Sequence, residues 1–193
     1  MNDRPPGGFD RAGPGDPAVR IVVAGVCGSA PRESGAAMLV RAHSEDGSIG
    51  GGNLEFQAIA VARRMLAAPE PCAARMERFA LGTRLGQCCG GSVELWLDRC
   101  EPAALRAIEQ AGQLDAADAT FLASVSDGIS ATQHARIDAG TTPAAVFRSA
   151  ALGAWAITEA QRLRDGPDRV RLVRLPDGSH LLLERLAPPW MPL

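Results

Sequence analysis

The sequence predicts a mixed α/β fold in which one sheet carries packed helices within a single domain. Three observations lead there. Short β-branched apolar runs alternate with glycine-rich loops, a stretch after Gly52 places apolar residues at helical spacing, and two alternating segments flank Pro176-Asp177-Gly178-Ser179. A chain of 193 residues that is 46% hydrophobic has the size of one ordinary domain and can bury a core.

Met1 to Pro17 hold proline, glycine and charge without apolar periodicity, so residues 1–18 read as a disordered lead. The domain then spans 19–187. Val19 to Val26 is the pattern of a strand buried on both faces, and Ala36 to Val40 is a second strand. His43 to Gly47 reads as a polar turn. Leu54, Ala58, Ala62 and Met65 form the stripe of a helix that Asn53 can cap and Pro69 ends. Arg75 to Leu81 and Ser92 to Leu97 read as strands, Ala103 to Gln110 as a helix, and Ala119 to Val125 as a strand. Thr132 to Thr142 is looser. Ala150 to Arg164 is helical with Asp165-Gly166-Pro167 as its stop, and Arg169 to Leu175 pairs with His180 to Leu186 in a hairpin. Residues 188–193 read as a proline-rich linker stub, with Trp190 either exposed there or packed back on the core.

A net charge of −2, and no basic stripe with interleaved aromatics, set aside nucleic acid as a partner. All basic residues are arginine and tyrosine is absent, a bias that weakens arguments from arginine counts. Five cysteines, an odd number, and an N-terminus without a secretory pattern point to a cytoplasmic protein with reduced thiols. No apolar run approaches the roughly 20 residues that span a bilayer, so no membrane partner is expected. Cys27, Cys72, Cys88, Cys89 and Cys100 contain no C-x-x-C, and with only His43, His134 and His180 beside them no metal site is expected.

The chemistry-bearing residues gather in three loops. In Cys27 to Gly35, Ser29 and Arg32 can bind an anion, because a guanidinium offers a planar fork to phosphate oxygens; a glycine-rich turn with solvated charges fits the same letters. In Ser48 to Glu55, Gly50, Gly51 and Gly52 run into a helix N-terminus, where free amides and the helix dipole favour an anion. Glu55 is either a first-turn acid or an acceptor of two parallel hydrogen bonds from an amino-pyrimidinone edge. In Leu81 to Leu97, Gln87, Cys88 and Cys89 lie among Gly82, Gly86, Gly90 and Gly91, an amide and two soft sulfurs on a backbone free to approach a ligand. Free cysteines also serve as small buried hydrophobes.

Taken jointly, GSAPRESGAAMLV (Gly28 to Val40), SIGGGNLEFQA (Ser48 to Ala58) and FALGTRLGQCCGGSVELWL (Phe79 to Leu97) resemble the XdhC/CoxI family of xanthine dehydrogenase accessory proteins. The resemblance implies a non-catalytic maturation factor that carries molybdenum cofactor (molybdopterin) as cargo. Such a factor protects the cofactor and inserts it into the large subunit of a xanthine dehydrogenase-type molybdenum hydroxylase, with a cysteine desulfurase supplying the sulfido ligand. On the matching positions, Ser29, Arg32 and Gly50 to Gly52 fall to the phosphate side and Gln87, Cys88 and Cys89 to the molybdenum or sulfur end, with Glu55, Gly90 and Gly91 as further cofactor-binding positions. Three departures stand out. Asn53 occupies a place where the family often has histidine, the lead replaces a usual first helix, and the chain stops where full-length members continue into a Rossmann-like domain. Two other readings compete: a module that docks the apo-hydroxylase while a separate protein holds the cofactor, and a thiol oxidoreductase using Cys88 and Cys89. The latter faces the strain of a disulfide between adjacent cysteines. Homodimerisation is left open.

Overall fold

The computed structural model describes residues 15–68, 73–81, 90–113, 120–142, 147 and 149–186, the side chains of 111–113 excepted. The first sheet comprises β1 (Ala18–Cys27), β2 (Ala37–Val40), β3 (Glu45–Gly47), β4 (Arg75–Ala80) and β5 (Ser92–Cys100), in the order β3-β2-β1-β5-β4. The second comprises β6 (Thr120–Ser126), β7 (Gln133–Ile137), β8 (Val170–Arg174) and β9 (His180–Leu186), in the order β7-β6-β9-β8. Every neighbouring pair is antiparallel.

Alternation along the two central strands explains how these sheets stack. Val19, Ile21 and Val23 of β1 face α1 (Gly52–Ala67), which buries Leu54, Ala58, Val61, Ala62 and Met65 against them. Ala18, Val22 and Ala24, the intervening residues, face the second sheet, where Leu122, Val170, Leu182 and Leu186 meet them. Likewise Phe121, Ala123 and Val125 of β6 face the helix α3 (Ala150–Asp165), while Leu122 points back into the seam. The result is four layers, helix, sheet, sheet, helix. Such strands must be apolar on both faces because neither face meets water.

Helix ends follow local rules. Ala68, which precedes Pro69, is extended and closes α1. The helix α2 (Pro102–Gln113) starts on a proline that has no N–H to leave unpaired, and its Leu105 and Ile108 plug the seam's edge. Ser149 caps α3, its Oγ accepting from the Leu152 amide at 3.4 Å.

The mixed α+β class and most element positions agree with the sequence reading, and four details do not. There are two sheets rather than one. His43 to Gly47 is not only a turn: Glu45, Asp46 and Gly47 pair with Val40, Leu39 and Met38. The looser segment holds β7, an edge strand on β6. Asn53 lies inside α1, where its Oδ1 accepts from Gln57 Nε2 at 3.2 Å, and Gly51 takes the cap position with φ 71°. The lead up to residue 14 and the stub after Leu186 lie outside the described residues.

Candidate functional site at the glycine rim

At one edge of the first sheet the first loop meets the Gly50 turn on one side and Gly91, at the entry to β5, on the other, and glycine is what lets them meet. Gly91, entering β5, passes so close to the first loop that a Cβ there would lie 2.6 Å from the Cys27 carbonyl oxygen and 2.9 Å from the Ser29 nitrogen. A side chain at Gly28 would in turn meet Gly91 Cα at 3.1 Å. Gly50, at φ 124°, sits against Pro31, whose Cγ would be 2.7 Å from an added Cβ, and Arg32 Cγ would be 3.4 Å away. The first loop is therefore wedged between Gly50 and Gly91. Its root is fixed on β1, where Val23 bonds Ala36 and Gly35 through the backbone at 2.9 and 2.8 Å. On the far side the Leu81 amide donates to Gly91 O at 2.7 Å.

The polar groups of this rim divide into spent and available ones. Glu55 is spent on its own loop: Oε2 accepts from Ser48 Oγ at 2.6 Å and from the Ile49 and Gly51 amides at 3.0 Å each, while the Gly50 amide donates to Ser48 Oγ at 3.1 Å. Partial burial would raise its carboxyl, but the Ser48 hydroxyl and these amides outweigh that and hold it below the usual carboxylate range. A carboxylate thus fills the place that free amides at a helix N-terminus would offer a phosphate. The Gly51 amide is thus taken up by Glu55 and the Gly50 amide by Ser48, and a two-oxygen grip by Glu55 on a pterin edge would have to share Oε2 with three existing donors. Arg32 and Ser29, by contrast, are exposed, and Arg32 enters no ion pair among the described residues. Phe56, 73% exposed in the first turn of α1, is an apolar surface group that the sequence reading did not single out. Gly90 and Gly91 are at the rim; Gln87, Cys88 and Cys89 lie outside the described residues.

A second polar constellation lies in the seam. Arg20 of β1 is fully buried and forms a bidentate pair with Glu184 of β9, joining the two sheets. Burial works against the Arg20 cation, but Glu184 outweighs it and raises the guanidinium. Beside this pair Asp98 Oδ2 lies 3.1 Å from His134 Nε2 and 3.6 Å from Cys100 Sγ. Cys100 Sγ is 3.9 Å from the same imidazole nitrogen, and Ser124 Oγ is 3.0 Å from His134 Nδ1. Burial pushes the Cys100 thiol well up, with the Asp98 charge adding to it, whereas His134 and Arg20 keep Asp98 low against its own burial. The sequence carries one signal for this group: Asp98 and Cys100 are two apart on β5, hence on one face.

Comparison with known proteins bears on the rim. No curated protein matches the chain in sequence. In structure the chain is similar to a protein described as a xanthine dehydrogenase from Bacillus halodurans, with a TM-score of 0.58 and 18% identity over 90% of this chain and 50% of that one. The chain therefore spans about half the length of that relative, and the likeness is one of fold. In sequence, residues 12–80 match the XdhC and CoxI family, a segment that holds the first two loops, α1 and β4. The resemblance read from the loops is thus matched by the family model over residues 12–80, with the third loop lying beyond that match.

Proposed function

We propose that the chain is an accessory protein for a xanthine dehydrogenase-type molybdenum hydroxylase, and that it holds molybdenum cofactor as cargo at the glycine rim before insertion. The observation that carries this reading is the wedging of the first loop between Gly50 and Gly91, inside and beside the family-matched segment, with the exposed Arg32, which enters no ion pair among the described residues, at its tip. A guanidinium free of internal partners can take a phosphate in bidentate fashion, and Ser29 offers a hydroxyl beside it. With the Ser48 to Glu55 cradle already filled, Arg32 and Ser29 are the phosphate side. The exposed Phe56 face can lie against a flat pterin. In this role the chain binds, orients and shields, and turns over nothing itself; the client is the hydroxylase large subunit and a cysteine desulfurase supplies the sulfido group.

The test is retention of molybdenum cofactor by the purified chain under anaerobic conditions, with molybdenum read by elemental analysis and pterin by fluorescence of its oxidised product. Near-stoichiometric retention that falls at least tenfold in Arg32→Ala, a change at an exposed residue that leaves the fold intact, is the expected result (an order of magnitude being about 1.4 kcal/mol). Cys88→Ser and Cys89→Ser should weaken retention if the thiol pair faces the metal end. A folded chain that retains no cofactor would overturn the carrier reading in favour of a module that docks the apo-hydroxylase.

A further inference from the structure

We propose that Asp98, Cys100 and His134 form a binding site for a single zinc ion in the seam between the two sheets, independent of the glycine rim. The three donor atoms Oδ2, Sγ and Nε2 all lie within 4.8 Å of one another. Zinc bonds of about 2.0 Å to oxygen and nitrogen and about 2.3 Å to sulfur place tetrahedral ligands about 3.3 to 3.5 Å apart. The observed separations of 3.1, 3.6 and 3.9 Å are close to one face of that tetrahedron, so small rotations of the three side chains suffice.

The surroundings suit a ligand set better than a hydrogen-bonded core. Ser124 Oγ lies 3.0 Å from His134 Nδ1, where it can accept from that nitrogen once Nε2 binds a metal, the outer contact that steadies a metal-binding imidazole. Asp98 is fully buried and its Oδ1 makes no hydrogen bond of normal geometry, though the Thr132 hydroxyl helps to steady its charge. A buried carboxylate with spare acceptor capacity is costly unless it meets a cation. The Arg20 guanidinium is taken up in a bidentate pair by Glu184, so the Asp98 carboxylate faces His134 and Cys100. A divalent ion would bind Cys100 as thiolate, the thiol proton leaving to bulk water as the sulfur–metal bond forms. A set of one sulfur, one imidazole and one carboxylate favours a borderline ion such as zinc over magnesium or calcium, which take oxygen ligands. The His134 side chain, 11% exposed on edge strand β7, gives the ion an entry and leaves the fourth position to water.

The experiment uses the whole chain, stripped with chelator and reduced, and titrated anaerobically with cobalt(II) as a spectroscopic stand-in for zinc. Expected are one cobalt per chain, a thiolate-to-cobalt charge-transfer absorption with the strong visible bands of four-coordination, and displacement by one equivalent of zinc. Cys100→Ser and His134→Gln should each abolish the charge-transfer band or weaken zinc binding at least tenfold. Ser124→Ala should weaken it about 10- to 100-fold, and Cys88→Ser with Cys89→Ser should leave it unchanged. Because His134 lies on an edge strand and is partly exposed, His134→Gln remains informative if Cys100→Ser fails to fold. A folded wild-type chain that takes up no cobalt, or a His134→Gln variant that binds zinc as tightly as wild type, would overturn the proposal.

Discussion

The glycine rim and the seam are both polar groupings in a largely apolar protein, and they are made by opposite means. At the rim, side chains are removed: Gly28, Gly50 and Gly91 let three backbones touch, and Arg32 faces water while Glu55 is held by its own loop. In the seam, side chains do the joining: Arg20 reaches Glu184 across 164 residues of sequence, and Asp98 reaches His134 across two sheets. The difference teaches where each region is fragile. The rim should fail when atoms are added to its backbone, and the seam when one partner of a charge is taken away.

The largest effect is expected in the seam. Arg20→Met strands Glu184 in a fully buried place, and breaking a buried pair from one side costs about 3–5 kcal/mol. Removing both charges, as Arg20→Met with Glu184→Leu, should recover most of that loss, because neither charge is then left without its counterpart. Urea unfolding of the two single variants and the double variant measures it. A double variant no more stable than the singles would mean that Asp98 depends on Arg20 so strongly that the seam is one four-residue network.

A middle-sized effect separates two adjacent glycines of the rim. Gly91→Ala drives a Cβ into the backbone of Cys27 and Ser29, which cannot rotate away, so a loss of about 1–3 kcal/mol is expected together with displacement of the first loop. Gly90→Ala meets nothing within 4 Å and should be nearly silent in stability. Equal behaviour of the two would show that the loops are not packed backbone to backbone, and the comparison with the seam would lose its basis.

Much of the rim and little of the seam is legible in the sequence, and the reason is the range over which each is encoded. The glycines, Arg32 and Glu55 sit in short runs whose letters already specify turns and helix entry, and β1, β2, α1, β4, β5 and the β8–β9 hairpin follow from local periodicity. The strands β3 and β7 escape it because edge strands carry charged and polar residues to discourage pairing with other chains, as Glu45, Asp46, Gln133 and Arg136 do here. Two sheets cannot be told from one because alternation reports that both faces of β1 are buried without reporting against what. Besides the Asp98 and Cys100 spacing, the seam left a mark at Glu184, which occupies the same strand face as Leu182 and Leu186, a charge in phase with core positions. Such a residue demands a buried partner, but only the folded topology says that it is Arg20.

The smallest effect lies where the rim behaves like the seam, at Glu55, a charge held by internal donors. Its carboxyl is depressed in the folded state, so its contribution is fully present above the unfolded value of about 4.3 and is lost as pH falls through the lower folded value. Replacing it by glutamine keeps an acceptor but removes the charge, and comparison with other helix-start contacts sets the cost near 1 kcal/mol at pH 7, since partial exposure screens it. The gap between wild type and Glu55→Gln in urea midpoint should therefore close as pH drops below about 4. The same substitution loosens the hold on the Ile49 and Gly51 amides, so inorganic phosphate should stabilise Glu55→Gln more than wild type at pH 7. A gap that is independent of pH would mean that Glu55 serves as a neutral hydrogen-bond acceptor, and a phosphate response equal in both proteins would mean that the glycine cradle is shaped for this one carboxylate and has no latent anion site.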